Sequence, residues 1–359
     1  METTRYNRQL ILPEVGESGQ EKLQQAKVLI IGLGGLGAAV LPYLAAAGIG
    51  EIGLVDADVI EVSNLQRQVI YKTAAVGKSK VAEAKKMALE LNPNLKINAI
   101  EERVNAKNVI SLFEQYDIIV DGTDNLSTKY LINDACCVTN KPFVYGSVYK
   151  FEGQVSVFNY QEGPTYRCVF PEEKASVMNC NEAGVMGISV GIIGMFQANE
   201  VLKIVLGIGE VMSGKLLVYN MLDNEQQKFE FIKKQTIKTD IAAFEQQYNR
   251  TTNPNFEIPA AVAMEQIHQP EVVFLDVRNP EETPKLSAAH SIQIPLSELE
   301  SQLHQLNPES KIIVFCQSGV RSKAAVALLQ KNQFFSACSV SGGMNAMTQF
   351  EPNETVFVS

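Results

Sequence analysis

The feature that most constrains this chain is an apolar run that ends in a cluster of glycines near the N-terminus. The run 28–31 leads into the glycine-rich turn 32–37, and the alanine- and leucine-rich segment 38–47 follows. A second apolar run, 52–55, ends at Asp56, about twenty residues beyond the last glycine of the turn. A strand, a glycine turn, a helix and a second strand that ends in an acid form a βαβ unit of the kind that binds nucleotides. The sequence therefore predicts a Rossmann-like fold at the start of the chain.

After this unit, helical and strand patterns alternate as far as residue 145. Short branched apolar runs at 97–100 and 118–120 precede polar turns, which is typical of parallel strands in an α/β sheet. Runs between closely spaced turns then predict antiparallel strands at 153–158, 216–219 and 228–231. The fold class is therefore predicted as α/β, with a mostly parallel Rossmann-like sheet that antiparallel strands extend.

A second strand–loop–helix pattern lies near the C-terminus and carries a cysteine. The apolar run 311–315 is followed at once by the loop 316–322 and a helical segment, so Cys316 stands between a strand end and a helix start. Loop amides and a helix N-terminus stabilise a thiolate at such a position, and Arg321 follows in the same loop. An inert buried cysteine is the alternative. The position favours a catalytic thiol in a small second α/β domain.

The chain has 359 residues, which is enough for two domains that each bury a core. We predict a first domain over residues 1–240, a linker over the polar segment 241–254 and a second domain over residues 255–359. Forty acidic side chains against 31 basic ones give a net charge of -9, so neither nucleic acid nor an anionic membrane is an expected partner. Six cysteines are too few for a disulfide framework, and the start of the chain lacks the pattern of a secretory signal. These features predict a cytoplasmic protein with reduced thiols.

The apolar stretch 183–199 lacks charged residues, so a membrane span has to be weighed. It is interrupted by Ser189 and Gln197 and runs into Glu200, whereas a spanning helix needs about 20 apolar residues. Glycines recur at positions 184, 187, 191 and 194, and on a helix they would form a stripe that lets another backbone approach closely. We therefore predict a buried or interface helix.

Polar residues collect where three of the predicted elements meet. The stretch 56–68 follows the second strand, Lys80 opens the next helix, and 121–125 follows a later strand. Because the carboxyl ends of parallel strands share one crevice, these side chains are expected to meet there. Arg67, Lys80 and a second aspartate, Asp124, suit a nucleoside triphosphate with Mg²⁺. An NAD-dependent oxidoreductase, the alternative, accounts for the glycine turn and leaves these residues without a role.

Several segments carry a closer resemblance, and they lie at 5–9, 32–37, 63–68, 121–125, 151–154 and 180–185. With them, residues 1 to about 235 resemble the MoeB/ThiF family of ubiquitin-activating-like adenylyltransferases, which activate the C-terminal glycine of small sulfur-carrier proteins of the MoaD/ThiS type. The remainder resembles a rhodanese domain, a sulfurtransferase, through 276–281, the loop 316–322 and the paired glycines 342–343. Chains that join an adenylyltransferase to a sulfurtransferase are known in this family.

The resemblance implies a site for ATP and Mg²⁺ in the first domain. The residues it assigns to nucleotide binding are Gly35, Asp56, Ser63, Asn64, Arg67, Lys80, Asp124 and Asn125. Within that set, Asp56 would bind the ribose and Asp124 would hold Mg²⁺. Arg8 resembles an arginine that reaches the ATP of the neighbouring subunit, which implies a homodimer.

The same resemblance implies two sulfur-handling cysteines. Cys180 matches a loop cysteine that can link covalently to the activated carrier, and Cys316 matches the persulfide-bearing cysteine of rhodaneses, assisted by Arg321. A cysteine desulfurase is an implied sulfur donor. An adenylating enzyme or scaffold without sulfurtransferase activity stays open as an alternative, and so does the carrier's pathway, whether molybdopterin, thiamine, cysteine or tRNA thiolation.

The sequence departs from the family pattern in each half. The first of two zinc-binding cysteine pairs reads Thr165-Tyr166-Arg167-Cys168, and no cysteine lies between Cys180 and Cys316. Because structural zinc takes four thiolate or imidazole ligands, we expect no zinc site. In the second half, Met347 stands where the resemblance has a tryptophan.

Overall fold

The computed structural model describes residues 3–171, 184–234, 240–251, 257–269, 271–287, 290–308, 310–332, 334, 336–349 and 357–358. The chain divides into two compact units, Met1–Phe244 and Glu245–Ser359, and each is described by itself.

Among the described residues, the first unit carries eight strands and most of the helices. In chain order its elements are α1 (Thr3–Leu10), α2 (Gly16–Gln25), β1 (Lys27–Ile31), α3 (Gly35–Ala47), β2 (Glu51–Val55), α4 (Lys80–Leu91), β3 (Lys96–Ile100), α5 (Val109–Phe113), β4 (Ile118–Asp121), α6 (Leu126–Thr139), β5 (Phe143–Tyr149), β6 (Glu152–Phe158), α7 (Tyr166–Val169), α8 (Gly187–Leu206), β7 (Lys215–Asn220) and β8 (Glu225–Glu230). Helix α9 (Ile241–Thr251) crosses the division between the units.

The eight strands form one sheet in the order β3-β2-β1-β4-β5-β6-β7-β8. The first five are parallel, and β6, β7 and β8 are added antiparallel, which confirms the predicted α/β fold. The turn between β1 and α3 needs its glycines, because Gly32 has a φ of 85° and a Cβ on Gly37 would lie 2.0 Å from the Gly32 carbonyl oxygen. Because β1 pairs in parallel with both β2 and β4, the carboxyl ends of these three strands open onto one edge of the sheet.

Helix α8 is long and apolar enough to cross a bilayer by length and composition alone. In this unit it packs on α3, where a Cβ on Gly194 would lie 2.6 Å from the Cβ of Ala39. Its buried residues include Gln197 and Glu200, and the Glu200 carboxylate accepts a hydrogen bond from the Met212 amide. The helix is therefore a core helix of the unit, as predicted. Gly191 contributes nothing to the close approach, since a Cβ there would meet no atom within 4 Å.

The predicted linker 241–254 is helical throughout its described part. Helix α9 covers Ile241–Thr251, and residues 252–254 lie outside the described residues. Asp240 caps the helix by accepting a hydrogen bond from the Ala243 amide, and Phe244 is fully buried. The capping acid and the buried aromatic side chain account for the helix, and the linker itself stays a prediction.

The second unit is a smaller α/β structure. Its elements are β9 (Glu257–Ile258), α10 (Ala260–Met264), β10 (Val272–Asp276), β11 (Lys285–Leu286), β12 (Ser291–Gln293), β13 (Lys311–Phe315), α11 (Val320–Lys331), β14 (Ala337–Val340), α12 (Gly343–Met347) and β15 (Phe357–Val358). Five strands form a parallel sheet in the order β12-β10-β13-β14-β9, and β11 pairs with β15. Met347, at the tryptophan position, is fully buried in the core that includes Phe274 and Phe315.

Candidate active sites

A cavity of about 910 Å³ opens at the carboxyl ends of the parallel strands of the first unit. Its wall is built by the glycine turn after β1, the polar segment after β2 and the residues between β4 and α6. All eight residues that the resemblance assigns to nucleotide binding line it: Gly35, Asp56, Ser63, Asn64, Arg67, Lys80, Asp124 and Asn125. The sheet topology therefore assembles one site from segments that are far apart in the sequence.

Asp56 ties the glycine turn to the end of β2. Its Oδ2 accepts a hydrogen bond of 2.7 Å from the Leu33 amide, and its Oδ1 accepts one of 2.8 Å from the Asp58 amide. Because each carboxylate oxygen has a further lone pair, Asp56 can still accept a hydrogen bond from a ligand hydroxyl. This is the arrangement expected of an acid that binds a ribose.

Lys80 meets partners that the sequence did not reveal. Its ammonium group lies 3.1 Å from Asp58 Oδ2, and Arg103 lies 3.2 Å from the other oxygen of Asp58. Burial raises the pKa of Asp58, but the hydrogen bonds and charges of Lys80 and Arg103 outweigh it, so the pKa is lowered. Asp58 thus holds two cations at the cavity wall. Arg103 follows β3, the next parallel strand, and that position is the signal that could have identified it from the sequence.

The segment around Asn64 is ordered by its own side chains. Asn64 Oδ1 accepts a hydrogen bond from the Glu61 amide, and the Asn64 carbonyl accepts from the amides of Arg67 and Gln68. The Arg67 guanidinium donates to the Ser63 carbonyl at 3.0 Å, and its remaining N–H groups have no partner among the described residues, so they can bind phosphate oxygens. Gln68 is 2% exposed and lines the cavity, and its Oε1 has no hydrogen-bond partner among the described residues. A buried acceptor without a partner fits a site that a polar ligand completes.

Asp124 and Asn125 stand where the chain passes from β4 to α6. The Asp124 carboxylate is exposed to the cavity and makes no hydrogen bond or ion pair with another described residue. A single carboxylate beside bound phosphates is the ligand set that Mg²⁺ takes in nucleotide sites. Asn125 has a structural role, because its Oδ1 accepts hydrogen bonds from Ser127 Oγ and the Thr128 amide and caps α6.

A buried ion pair beneath Asp124 was not foreseen. Lys129 donates to Asp121 Oδ2 at 2.5 Å and to the carbonyls of Thr123 and Gly146 at 2.9 and 3.0 Å, which uses all three of its protons. The other oxygen of Asp121 accepts hydrogen bonds from the amide and hydroxyl of Thr123. These contacts fix the turn that presents Asp124. The position of a lysine along a helix does not by itself indicate that it forms a buried ion pair, so the sequence analysis missed Lys129.

Arg8 and Cys180 are the two other residues that the resemblance assigns to the first domain. Arg8 is exposed on α1 and is not among the residues that line the cavity. Cys180 lies outside the described residues.

Cys316 follows β13 in the second unit and is buried at the start of the loop that leads into α11. The Gly319 amide donates a hydrogen bond of 3.2 Å to Cys316 Sγ, and Ser322 Oγ lies 3.5 Å from it. The paired glycines allow the approach of the next loop, since a Cβ on Gly343 would lie 2.2 Å from the Cys316 carbonyl oxygen. The loop therefore closes around the sulfur with backbone amides, as the sequence predicted.

The electrostatics of the thiol differ from the expectation in one respect. Burial raises the pKa of Cys316, but hydrogen bonds from the Ser322 hydroxyl and from the amides of Ser322, Ser318 and Gly319 outweigh it and lower the pKa. Arg321, which was expected to assist, instead forms an ion pair with Glu282 through both terminal nitrogens. Ser322 was missed because a serine after the loop arginine also reads as an ordinary residue in the first turn of a helix.

The Ser322→Ala variant tests this account of the thiol. Loss of the hydroxyl should raise the pKa of Cys316, so the midpoint of its alkylation rate against pH should move upward. Ser341→Ala is the matched control, because Ser341 is an exposed serine of the same unit whose side chain has no hydrogen bond to another described residue, and its midpoint should equal that of the wild type. Equal midpoints for the Ser322→Ala variant and the wild type would contradict the assignment.

Thr165 replaces one ligand of the family's zinc site and contacts the remaining cysteine. Its amide donates to Cys168 Sγ at 3.4 Å, and its hydroxyl lies 3.5 Å from the same sulfur. Among the described residues, no group of three or more His, Cys, Asp or Glu side chains is placed to hold a metal ion. The absence of zinc stays a prediction.

Comparisons with known proteins agree with both halves of this arrangement. The ThiF family profile matches residues 6–240, and the rhodanese-like domain profile matches residues 259–349. The first match spans more than half of the chain. The chain belongs to the ThiF family. It is an adenylyltransferase with a rhodanese-like sulfurtransferase domain, which confirms the family and the enzyme class predicted from the sequence.

Three curated relatives of this ThiF-family chain are named as adenylyltransferases. A probable molybdopterin-synthase adenylyltransferase of Porphyra purpurea is 39% identical and covers 99% of this chain and 96% of its own length. The probable adenylyltransferase/sulfurtransferase MoeZ of Mycobacterium tuberculosis is 37% identical, and the similarity covers 99% of this chain and 95% of MoeZ. A sulfur carrier protein adenylyltransferase of Thermus thermophilus is 45% identical over 62% of this chain and 84% of its own.

A solved structure supports the fold. The crystal structure of E. coli MccB with AMPCPP and MccA is similar to this ThiF-family chain with a TM-score of 0.59 and 24% identity. The similarity covers 67% of this chain and 75% of that one. At this identity the likeness concerns the fold alone.

Proposed function

We propose that this enzyme uses ATP and Mg²⁺ to adenylate the C-terminal glycine of a ubiquitin-like sulfur carrier, and that its rhodanese domain supplies the sulfur. The observation that carries the proposal is the cavity in which Asp56, Arg67, Lys80 and Asp124 meet at three strand ends. The name of the Thermus relative supports a sulfur carrier as the partner. The NAD alternative is set aside, because the family is one of adenylyltransferases.

The first step is transfer of the adenylyl group. The carrier's terminal carboxylate attacks the α-phosphorus of ATP, an acyl–phosphate bond forms and pyrophosphate leaves. The chain's part is to hold the ribose with Asp56 and to offset the charge that develops on the phosphates with Arg67 and Lys80. Asp124 would hold Mg²⁺, which supplies further charge stabilisation when bound.

The second step is transfer of sulfur. A persulfide on Cys316 attacks the acyl group, AMP leaves, and the carrier is joined to Cys316 through an acyl disulfide. The thiolate of Cys180 then attacks the Cys316 sulfur, which releases the carrier as a thiocarboxylate and leaves a Cys180–Cys316 disulfide for a thiol reductant to open. A cysteine desulfurase is the proposed source of the persulfide, and the cytoplasm, which keeps thiols reduced, is the proposed compartment.

Mass spectrometry of the carrier tests this sequence of steps. With ATP, Mg²⁺ and a sulfur donor present, the carrier should gain the mass of a thiocarboxylate. With the donor left out it should accumulate as the acyl-adenylate. Release of pyrophosphate without a mass change on any ubiquitin-like carrier would contradict the proposed substrate.

We further propose a homodimer in which Arg8 acts on the partner's nucleotide. The Arg8→Ala variant should then lose pyrophosphate exchange, because its loss removes charge from the partner's site. A mixture of Arg8→Ala and Asp124→Ala subunits should recover part of the activity, since one of the two sites in a heterodimer is intact. Absence of recovery in verified heterodimers would contradict action across the subunit boundary.

A further inference from the structure

The loop arginine of the sulfur site is held by a carboxylate. Arg321 Nη1 lies 2.6 Å from Glu282 Oε1, and Nη2 lies 2.7 Å from Oε2. The Asn279 amide also donates to Oε1 at 2.9 Å, which orients the carboxylate. The hydrogen bonds from Arg321 are the main cause that lowers the pKa of Glu282, to about 2. The pair is therefore ionised on both sides at neutral pH, and its net charge is zero.

A second arginine behind the loop is neutralised in the same way. Arg278 is fully buried and donates to both carboxylate oxygens of Asp276, at 2.9 and 2.8 Å. Its Nη1 donates to Gln317 Oε1, so the side chain that follows Cys316 is neutral and already engaged. Lys323, one turn into α11, lies 3.1 Å from Glu257. Each of these three cations has a carboxylate partner, and what the loop offers an anion is chiefly its backbone amides.

We propose that Glu282 selects the sulfur donor: by holding Arg321 it makes the loop accept sulfane sulfur from alkyl or protein persulfides in preference to dianionic thiosulfate. This inference rests on the proposed sulfurtransferase function. Glu282 acts through Arg321 and is a positioning residue. A guanidinium without a carboxylate partner attracts a dianion more strongly than a monoanion. Neutralising Arg321 therefore lowers the rate with thiosulfate more than the rate with persulfides.

Both donors use the same attack and differ in charge. With a persulfide, the Cys316 thiolate attacks the outer sulfur of R–S–SH, a bond forms between Cys316 Sγ and that sulfur, and the donor's S–S bond breaks. The leaving R–S⁻ takes the bonding pair, and the product is Cys316–S–SH. With thiosulfate the same bonds change and sulfite leaves as a dianion. No external oxidant or reductant is needed in either case.

The test compares Glu282→Gln with wild type in the full-length chain, using thiosulfate and an alkyl persulfide as the two donors. Sulfane sulfur on Cys316 is followed by mass. Freed of its carboxylate, Arg321 should raise kcat/KM for thiosulfate about tenfold, mainly through KM, and change the value for the persulfide by less than about twofold. The gain should shrink as salt is added, because it depends on charge. Glu281→Gln is the matched control, since Glu281 is exposed, has no described partner and loses the same charge.

A double variant shows whether the effect passes through Arg321. Glu282→Gln with Arg321→Gln should lose the gain for thiosulfate, because no guanidinium is left to be freed. A gain kept by the double variant, an equal change with both donors, or a similar gain in Glu281→Gln would overturn the inference. Wild-type protein that takes up no sulfur from either donor would overturn the proposed sulfurtransferase function as well. If the wild type takes up sulfur and Glu282→Gln leaves the ratio of kcat/KM for thiosulfate to kcat/KM for the persulfide unchanged, only the inference would be overturned.

Discussion

Replacing Asp124 by alanine is expected to lower ATP–pyrophosphate exchange at least about a hundredfold, because the carboxylate is needed chiefly when charge develops on the phosphates. Arg67→Ala should have an effect of the same order. Asp124 is exposed and makes no hydrogen bond or ion pair with another described residue, so the variant should unfold at the wild-type temperature. Exchange is measured with labelled pyrophosphate, and thermal unfolding is measured on the same sample.

Glu90→Ala is the matched control for Asp124→Ala. Glu90 is an exposed acid on α4 that does not line the nucleotide cavity, so its removal changes the net charge by the same amount. It should leave exchange within about twofold of wild type, since surface charges at this distance are screened. Full exchange activity in Asp124→Ala would refute the assignment of this cavity to ATP and Mg²⁺.

The second large effect concerns Cys316. The Cys316→Ala variant should accept no sulfane sulfur from a persulfide donor, because the attacking thiolate is gone. Cys338→Ala should accept sulfur as the wild type does. Cys338 is also a buried cysteine of the second unit, but burial raises its pKa, whereas hydrogen bonds lower that of Cys316. Mass spectrometry of the intact chain before and after treatment with the donor measures the difference.

A phosphatase is the competing use of a loop that begins with cysteine and ends with arginine. The loop 316–322 surrounds the sulfur with the Gly319 amide and the Ser322 hydroxyl, and its arginine is already bound by Glu282. An arginine so engaged is poorly placed to bind a phosphate dianion, so we expect no hydrolysis of an aryl phosphate. Phosphate release that is lost in Cys316→Ala, without sulfur uptake in the wild type, would favour the phosphatase and leave only the adenylation half standing.

Much of the fold could be predicted because its signals are local. The glycine turn 32–37 between a buried strand and a helix, and the loop 316–322 between a strand and a helix, each specify one supersecondary unit. Asp56, Arg67, Lys80 and Asp124 could be placed in one crevice because the carboxyl ends of parallel strands meet, whereas the other nucleotide-binding residues came from the family resemblance. Helix α9 within the polar segment 241–254 was not foreseen, since one cap and one buried aromatic side chain support the helix there.

What the sequence by itself determined is the order of elements, the family and the residue types at each site. Tertiary structure alone decided which charges pair. Asp58 with Lys80 and Arg103, Asp121 with Lys129, and Glu282 with Arg321 join residues whose separation in sequence follows no periodic pattern. Whether a charged side chain faces a ligand or a neutralising partner depends on distances of a few ångströms between separate elements. Sequence motifs specify turns and faces, and only the packed sheet and its loops set those distances.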